Sequence, residues 1–210
     1  MDMINNGSLR LFTMDKIIHQ IWIGPEAMPS HVQQYCSRTK SLFNDYEYKF
    51  WNNENIPQMP ELCMVQFNRY GAMKKYAFQA DILRYYLLNK YGGIYLDVDF
   101  MCNKRFDSLI NREFFCVNPN GRVFHVCNGI FACNPNNPIL TKLLSELRNE
   151  PYHGPLLFTK YISEFIGVPY KTHLFKHLNE HPHDYVQCEG PENFFRKTEY
   201  CYHDALRSWI

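Results

Sequence analysis

The sequence predicts an α/β sandwich built around a mainly parallel sheet, and three features carry that expectation. Short β-branched and aromatic runs alternate with helix-period segments through the first half of the chain, the pattern of a sheet flanked by helices. A glycine pair, Gly92-Gly93, stops the longest helical segment and opens the next strand. Carboxylates gather toward the end of that strand, where sheets of this kind collect their ligands.

Residues 1–14 carry Asn5-Asn6-Gly7 and read as a lead-in. Lys16 to Ile23 is the first strand, closed by Gly24-Pro25. Pro29 to Ser41 reads as a helix, and Tyr46 to Trp51 as a strand ending in Asn52-Asn53. Tyr76 to Lys90 holds no Gly or Pro and repeats its apolar residues at helical spacing. Gly93 to Cys102 is read as one strand. Phe114 to Cys116 and Val123 to Cys133 are two more, around an Asn118-Pro119-Asn120-Gly121 turn. Ile139 to Arg148 and Thr159 to Phe165 are helices, and the remainder is loop-rich as far as Tyr200 to Ile210. Neither repeats nor a low-complexity linker divide the chain, so residues 1–210 read as one compact domain, or as the first domain of a longer protein.

A 210-residue chain buries about 70% of its unfolded surface and folds without a disulfide or zinc staple. Its 46% hydrophobic and 20% charged residues are those of a soluble globular protein, and a net charge of +1 argues against a nucleic-acid partner. Aromatic residues make up 16%, which serves an aromatic core first and sugar or base stacking second. The eight cysteines show no Cys-x-x-Cys pair, and several lie in apolar runs such as Phe131-Ala132-Cys133, a pattern of buried thiols in a reducing compartment. No stretch approaches the ~18 apolar residues of a membrane span, and Met1 to Leu11 lacks a signal-peptide core. The expectation is a cytoplasmic protein.

In Gly93-Ile94-Tyr95-Leu96-Asp97-Val98-Asp99-Phe100, strand alternation sends Ile94, Leu96, Val98 and Phe100 to the core and Tyr95, Asp97 and Asp99 to the other face. Two carboxylates about 7 Å apart repel unless a cation answers them. Mg²⁺ or Mn²⁺ carrying a diphosphate does so with only one or two protein ligands. Alone, Asp-x-Asp is equally a solvated strand end. In the preceding helix, Asp81 and Arg84 share a face at i, i+3, either as a structural ion pair or as groups reaching a pocket. Trp22, closing the first strand, is either a core tryptophan or a stacking surface for a base.

Gln79-Ala80-Asp81-Ile82-Leu83-Arg84 followed by Tyr91-Gly92-Gly93-Ile94-Tyr95-Leu96-Asp97-Val98-Asp99 resembles the signature of the DXD glycosyltransferases. That family includes the glucosylating clostridial toxins, the yeast initiation mannosyltransferases and bacterial capsule sugar transferases. Lys16 to Gly24 is similar to its first strand and Tyr202 to Trp209 to its closing segment. The brevity of the chain resembles the N-terminal domain of a capsid-glycosylating transferase of large algal viruses, which would place it in the host cytoplasm.

The resemblance implies a GT-A fold, a nucleotide-diphosphate-sugar donor, Mn²⁺ or Mg²⁺, a glycan or glycoprotein acceptor, and retention at the anomeric carbon. UDP-glucose or a related UDP-sugar is favoured through Trp22, with a GDP-sugar as the alternative. Carried over by position, Trp22 stacks the base, Asp81 and Arg84 hold the donor sugar, and Ile21, Tyr95, Asp97 and Val98 line the donor. Asp99 binds the metal, with Asp97 and His203 on the metal side. Ser208 and Trp209 close over the diphosphate, and Asn128 lies near the reacting sugar. His153-Gly154-Pro155 is similar to the family's acceptor-side turn, with His153 departing from the usual residue. No carboxylate stands out as a nucleophile, which favours front-face attack.

Other readings have weaker residues behind them. His173, His177, His181 and His183 suggest zinc, but no cysteine accompanies them and Pro182 interrupts the run. Neither Gly-x-Ser-x-Gly nor a phosphate-loop motif is present. An inactive sugar-binding domain and a nucleotide-sugar phosphohydrolase are the alternatives to a transferase.

Overall fold

The computed structural model describes residues 13–111, 113–117, 126–149, 154–167, 186–189 and 200–203. Its elements are β1 (Ile17–Trp22), α1 (Ser30–Leu42), β2 (Glu47–Asn52), α2 (Glu61–Ala72), α3 (Tyr76–Tyr91), β3 (Gly93–Leu96), β4 (Phe100–Cys102), β5 (Phe114–Val117) and β6 (Cys127–Cys133). They are followed by α4 (Pro138–Ser145), α5 (Pro155–Ile166), β7 (Val186–Glu189) and β8 (Cys201–His203). The main sheet runs β2-β1-β3-β6-β5-β7, and a ribbon of β4 and β8 stands apart from it. β1 pairs parallel with β2 and β3, and β5 with β7, whereas β6 is antiparallel to both β3 and β5. This is a mixed, mostly parallel α/β sheet.

Side-chain alternation divides the sheet into two apolar faces. Tyr95, Phe131, Phe114 and Cys116 pack with α2, α3, α4 and α5. Their chain neighbours Ile94, Leu96, Ile130, Ala132 and Phe115 pack on the opposite face with Phe43, Tyr46 and Phe106. Helix α3 is central: residues 81–88 are buried without interruption. Such a helix has no solvated face, so any charge on it must find partners inside the protein. It ends at Gly92, and Gly93 (φ +88°) turns the chain into β3 so closely that a Cβ would lie 2.6 Å from the Ile17 carbonyl oxygen. His19, fully buried, ties this turn to β2. The Trp51 indole donates to its Nδ1 at 3.1 Å, so Nε2 carries the proton and donates to the Gly92 carbonyl at 3.1 Å.

Three sequence expectations need correction. The segment Gly93 to Cys102 is not one strand: β3 stops at Leu96, and the Phe100 amide bonds the Asp97 carbonyl at 3.2 Å across a turn at Val98-Asp99. Val98 therefore leaves the Ile94–Leu96 face and packs with Val32 and Cys36 of α1. Helix α4 ends at Ser145, and Leu147–Asn149 tighten into a 3₁₀ turn. Helix α2, absent from the sequence reading, buries Cys63, Gln66, Phe67 and Tyr70. Residues 1–12, residues 118–125 with the expected turn at Asn118 to Gly121, His153, the four-histidine run and residues 204–210 lie outside the described residues.

Candidate active site

The site forms where α3, the end of β3 and the start of β6 meet. Arg84 and Asp81 are one helical turn apart on α3, and their side chains are 7% and 8% exposed. The Arg84 guanidinium is shared among four acceptors, one of them the Ala80 carbonyl, which accepts from Nε at 3.3 Å. Nη1 donates to the Asn128 carbonyl at 2.7 Å, Nη1 and Nη2 reach Asp97 at 3.4 and 3.2 Å, and Nε faces Asp81 Oδ1 at 3.5 Å. Beneath it lies the Tyr95 ring, 4.5 Å from the guanidinium carbon, and the Tyr95 hydroxyl donates to Asp97 Oδ1.

Asn128 completes the cluster from β6. Its Nδ2 donates to Asp81 Oδ1 at 2.7 Å and to the Tyr85 hydroxyl oxygen at 2.8 Å, and Tyr85 donates onward to the Gly154 carbonyl at 3.5 Å. The bond to Gly154 reaches the turn that opens α5. Gly129 is required at the next position, because a Cβ there would stand 2.5 Å from Asp97 Oδ2. The Asp97 amide donates to the Gly129 carbonyl at 2.7 Å, fixing the start of the turn that carries Asp99.

Burial sets the protonation chemistry. Loss of water pushes the Asp81 carboxyl up to about 7, and the Arg84 charge and Asn128 amide only partly offset it, with Asp97 adding repulsion. Burial works against the Arg84 charge too, but Asp97 and then Tyr95 and Asp81 overcome it and hold the guanidinium above its ordinary value. Burial, above all, keeps the Tyr95 hydroxyl protonated. One buried cation thus serves two carboxylates, with a third, Asp99, partly exposed at the turn beside them. Burial leaves the Asp81 charge disfavoured, and the donors of a polar ligand would favour it.

The structure distributes the sequence candidates unevenly. Asp81, Arg84, Asn128, Tyr95 and Asp97 come together, and Asp99 follows at the turn. Both oxygens of Asp97 face Arg84, and one also accepts from Tyr95, so this carboxylate is held by the protein rather than turned outward beside Asp99. Val98 and Ile21 are core residues, Ile21 in the α2–α3 core and Val98 against α1. His203 pairs with Phe100 in the β4–β8 ribbon, which brings its backbone beside the Asp99 turn. Ser208 and Trp209 lie outside the described residues.

Trp22 is partly buried at the end of β1, its indole N–H donating to the Glu26 carbonyl at 2.9 Å. It opens onto a cavity of about 390 Å³ between α1 and β2, lined also by Met28, Lys40, Tyr48, Phe50 and Asn52. None of Asp81, Arg84, Asp97 and Asp99 lines this cavity, and the buried charges make their cluster the candidate chemical centre. The two are connected: the Tyr48 hydroxyl donates to Gln20 Oε1, and Gln20 Nε2 donates to the Asp97 carbonyl at 3.5 Å. Sequence reasoning missed Tyr85, Gln20 and Tyr48, whose polar atoms acquire partners only through the tertiary fold.

Residues 29–116 match the glycosyltransferase sugar-binding region containing the DXD motif. The chain thus carries the sugar-binding region of the DXD-containing glycosyltransferases. It is 32% identical over 140 residues to glycosyltransferase L373 of Acanthamoeba polyphaga mimivirus, covering 62% of this chain and 54% of that one. It is 33% identical over 156 residues to inositol phosphoceramide mannosyltransferase 3 of Schizosaccharomyces pombe, covering 70% of this chain and 41% of the yeast protein. The chain therefore spans about half the length of the relatives it matches. Among solved structures it resembles the PaToxG glycosyltransferase at a TM-score of 0.64 and 23% identity, over 80% of this chain and 76% of that one. The shared architecture is the GT-A fold. Among the described residues no cluster of three His, Cys, Asp or Glu side chains is poised for a metal, and no helix is long and apolar enough to cross a membrane.

Proposed function

We propose that this chain is a glycosyltransferase that moves a hexose from a nucleotide-diphosphate sugar to a glycan or glycoprotein acceptor. The observation that carries the reading is the buried Asp81–Arg84–Asn128–Asp97 network beside the Asp99 turn. It is an expensive arrangement for a protein that has nothing to bind there. Asp81 and the Asn128 amide suit the hydroxyls of the donor sugar, and Arg84 holds Asp97 and the site's shape.

A divalent cation fits the donor set on one condition. Mg²⁺ and Mn²⁺ accept one or two carboxylates and complete their shell with phosphate and water. Asp99 meets that requirement, with His203 nearby in register, whereas Asp97 is already committed to Arg84 and Tyr95. When bound, the cation stabilises the negative charge that develops on the leaving diphosphate. The chain's own part is to orient the sugar through Asp81 and Asn128 and to keep Arg84 protonated beside it. No second carboxylate in the described cluster is placed as a nucleophile, and attack from the face of the leaving group is our reading for retention. Trp22 favours a uridine donor. The name of the fission-yeast relative supports mannose and a sphingolipid-linked acceptor as a second reading.

The test is incubation with UDP- and GDP-sugars and Mn²⁺, following nucleotide-diphosphate release with and without acceptors. Slow release that an acceptor accelerates supports a transferase, and fast release that no acceptor redirects indicates a phosphohydrolase. No release from any donor indicates a binding domain. In the transferase case, Asp99→Ala cuts turnover at least about 100-fold with an unchanged melting temperature.

A further inference from the structure

Away from the donor network, the β4–β8 ribbon brings two thiols together. Cys102 and Cys201 are direct partners in its antiparallel register, both side chains are fully buried, and neither is in a disulfide. The hydrogen-bond pattern fixes the kind of pairing. The Asn103 amide donates to the Tyr200 carbonyl at 2.7 Å, one residue outward from the pair on each strand, so Cys102 and Cys201 form a non-hydrogen-bonded pair. In such pairs the Cα atoms lie about 4.5 Å apart and the side chains lean toward each other. That separation falls within the range a disulfide spans. Both thiols pack in one apolar cluster with Phe100 and Phe106.

We propose that Cys102 and Cys201 are a reversible disulfide-forming site whose co-reactant is a low-molecular-weight disulfide. One cysteine thiolate attacks the small disulfide and expels one thiolate, giving a mixed disulfide. The second cysteine thiolate displaces the other half. One S–S bond breaks in the oxidant and one forms in the protein, and the two cysteine protons leave on the two released small thiols. Access comes through β8, a three-residue strand paired only to the three residues of β4 among the described residues. A short two-stranded ribbon opens locally at low cost and closes again in register. The bridge joins positions almost a hundred residues apart in the chain. It fastens the strand bearing His203 to the strand that follows Asp99, independently of what the site binds.

The experiment is oxidation of the native protein with oxidised glutathione, acid quenching, alkylation in urea and peptide mapping by mass spectrometry. The expected result is a Cys102–Cys201 linked peptide pair, 2 Da lighter than the reduced peptides and abolished by dithiothreitol. In Cys201→Ser, Cys102 is then recovered alkylated or glutathionylated with no internal bridge. The proposal is overturned if both cysteines of the wild type are recovered alkylated. It is equally overturned if either carries only glutathione, or bridges chiefly to another cysteine.

Discussion

Arg84 and Arg105 hold nearly the same company and come to opposite electrostatic ends. Each is shared between two aspartates and lies over a tyrosine ring, Arg84 between Asp81 and Asp97 over Tyr95, Arg105 between Asp45 and Asp107 over Tyr46. Arg105 grips Asp107 with two nitrogens, at 2.6 and 3.1 Å, and Lys16 joins Asp45 at 2.8 Å. The aspartates around Arg105 have side chains 46% and 49% exposed, and their hydrogen bonds to the guanidinium hold both below the usual carboxylate range. Asp81, 8% exposed, is driven the other way by burial despite its arginine. With water present, the pairing wins and the result is a surface brace. Without it, desolvation wins and Asp81 is driven toward its protonated form, a buried carboxyl suited to a polar ligand.

Removing each arginine breaks that comparison most forcefully. Arg84→Met leaves Asp97 and Asp81 without a cation in a buried site and should cost about 3–5 kcal/mol in urea unfolding. Arg105→Met should leave the unfolding midpoint nearly unchanged, because water and Lys16 take over. Equal losses in the two variants would mean that burial does not separate the sites.

The pH dependence tests the sign. Asp81 has a folded pKa raised above its unfolded value, so its contribution is complete below about 4 and is lost as pH rises toward 7. Asp81→Asn should therefore gain stability relative to the parent across that window, by roughly 2–4 kcal/mol at neutral pH. Asp45 is depressed, so its contribution is present above its unfolded pKa and lost as the solution becomes more acidic. Asp45→Asn should differ from the parent by a constant amount above about pH 5, and the gap should close only below it. Thermal melts of the parent and the two variants from about pH 2 to 8 measure both.

Helix α3 and the turn into β3 were legible because their causes are local. A 16-residue segment free of Gly and Pro runs into two glycines, one of which no side chain can replace. Asp81 and Arg84 stood out for the same reason, as charges at i, i+3 in an apolar helix. The turn at Val98-Asp99 was hidden, because Leu96 to Phe100 alternates as a strand does and only the Phe100-to-Asp97 hydrogen bond ends it. Helix α2 did carry a signal, Cys63, Phe67 and Tyr70 at helical spacing after Pro60, but Gly71 near its end blurs the pattern. Tyr85 and Gln20 gave none. Their partners lie 43 and 77 residues away, so a buried hydroxyl and a buried amide look like any core tyrosine or strand glutamine.

Tyr85 supplies a smaller expected loss than Arg84. Tyr85→Phe keeps the ring against Phe158, 5.6 Å away, but leaves one Asn128 proton without an acceptor. The loss should be about 1 kcal/mol in stability, and sugar turnover should fall more than donor affinity. Turnover equal to wild type would remove Tyr85 from the site.

The central claim is that the buried arginine cluster, not the exposed one, is where the donor binds. Its most direct test is the thermal shift that saturating UDP- or GDP-sugar with Mn²⁺ gives to Asp81→Asn and to Asp45→Asn, since a ligand at 100 times its Kd adds about 2.7 kcal/mol of stability. The shift should persist in Asp45→Asn and collapse in Asp81→Asn. A donor-induced shift of equal size in both proteins would contradict the account.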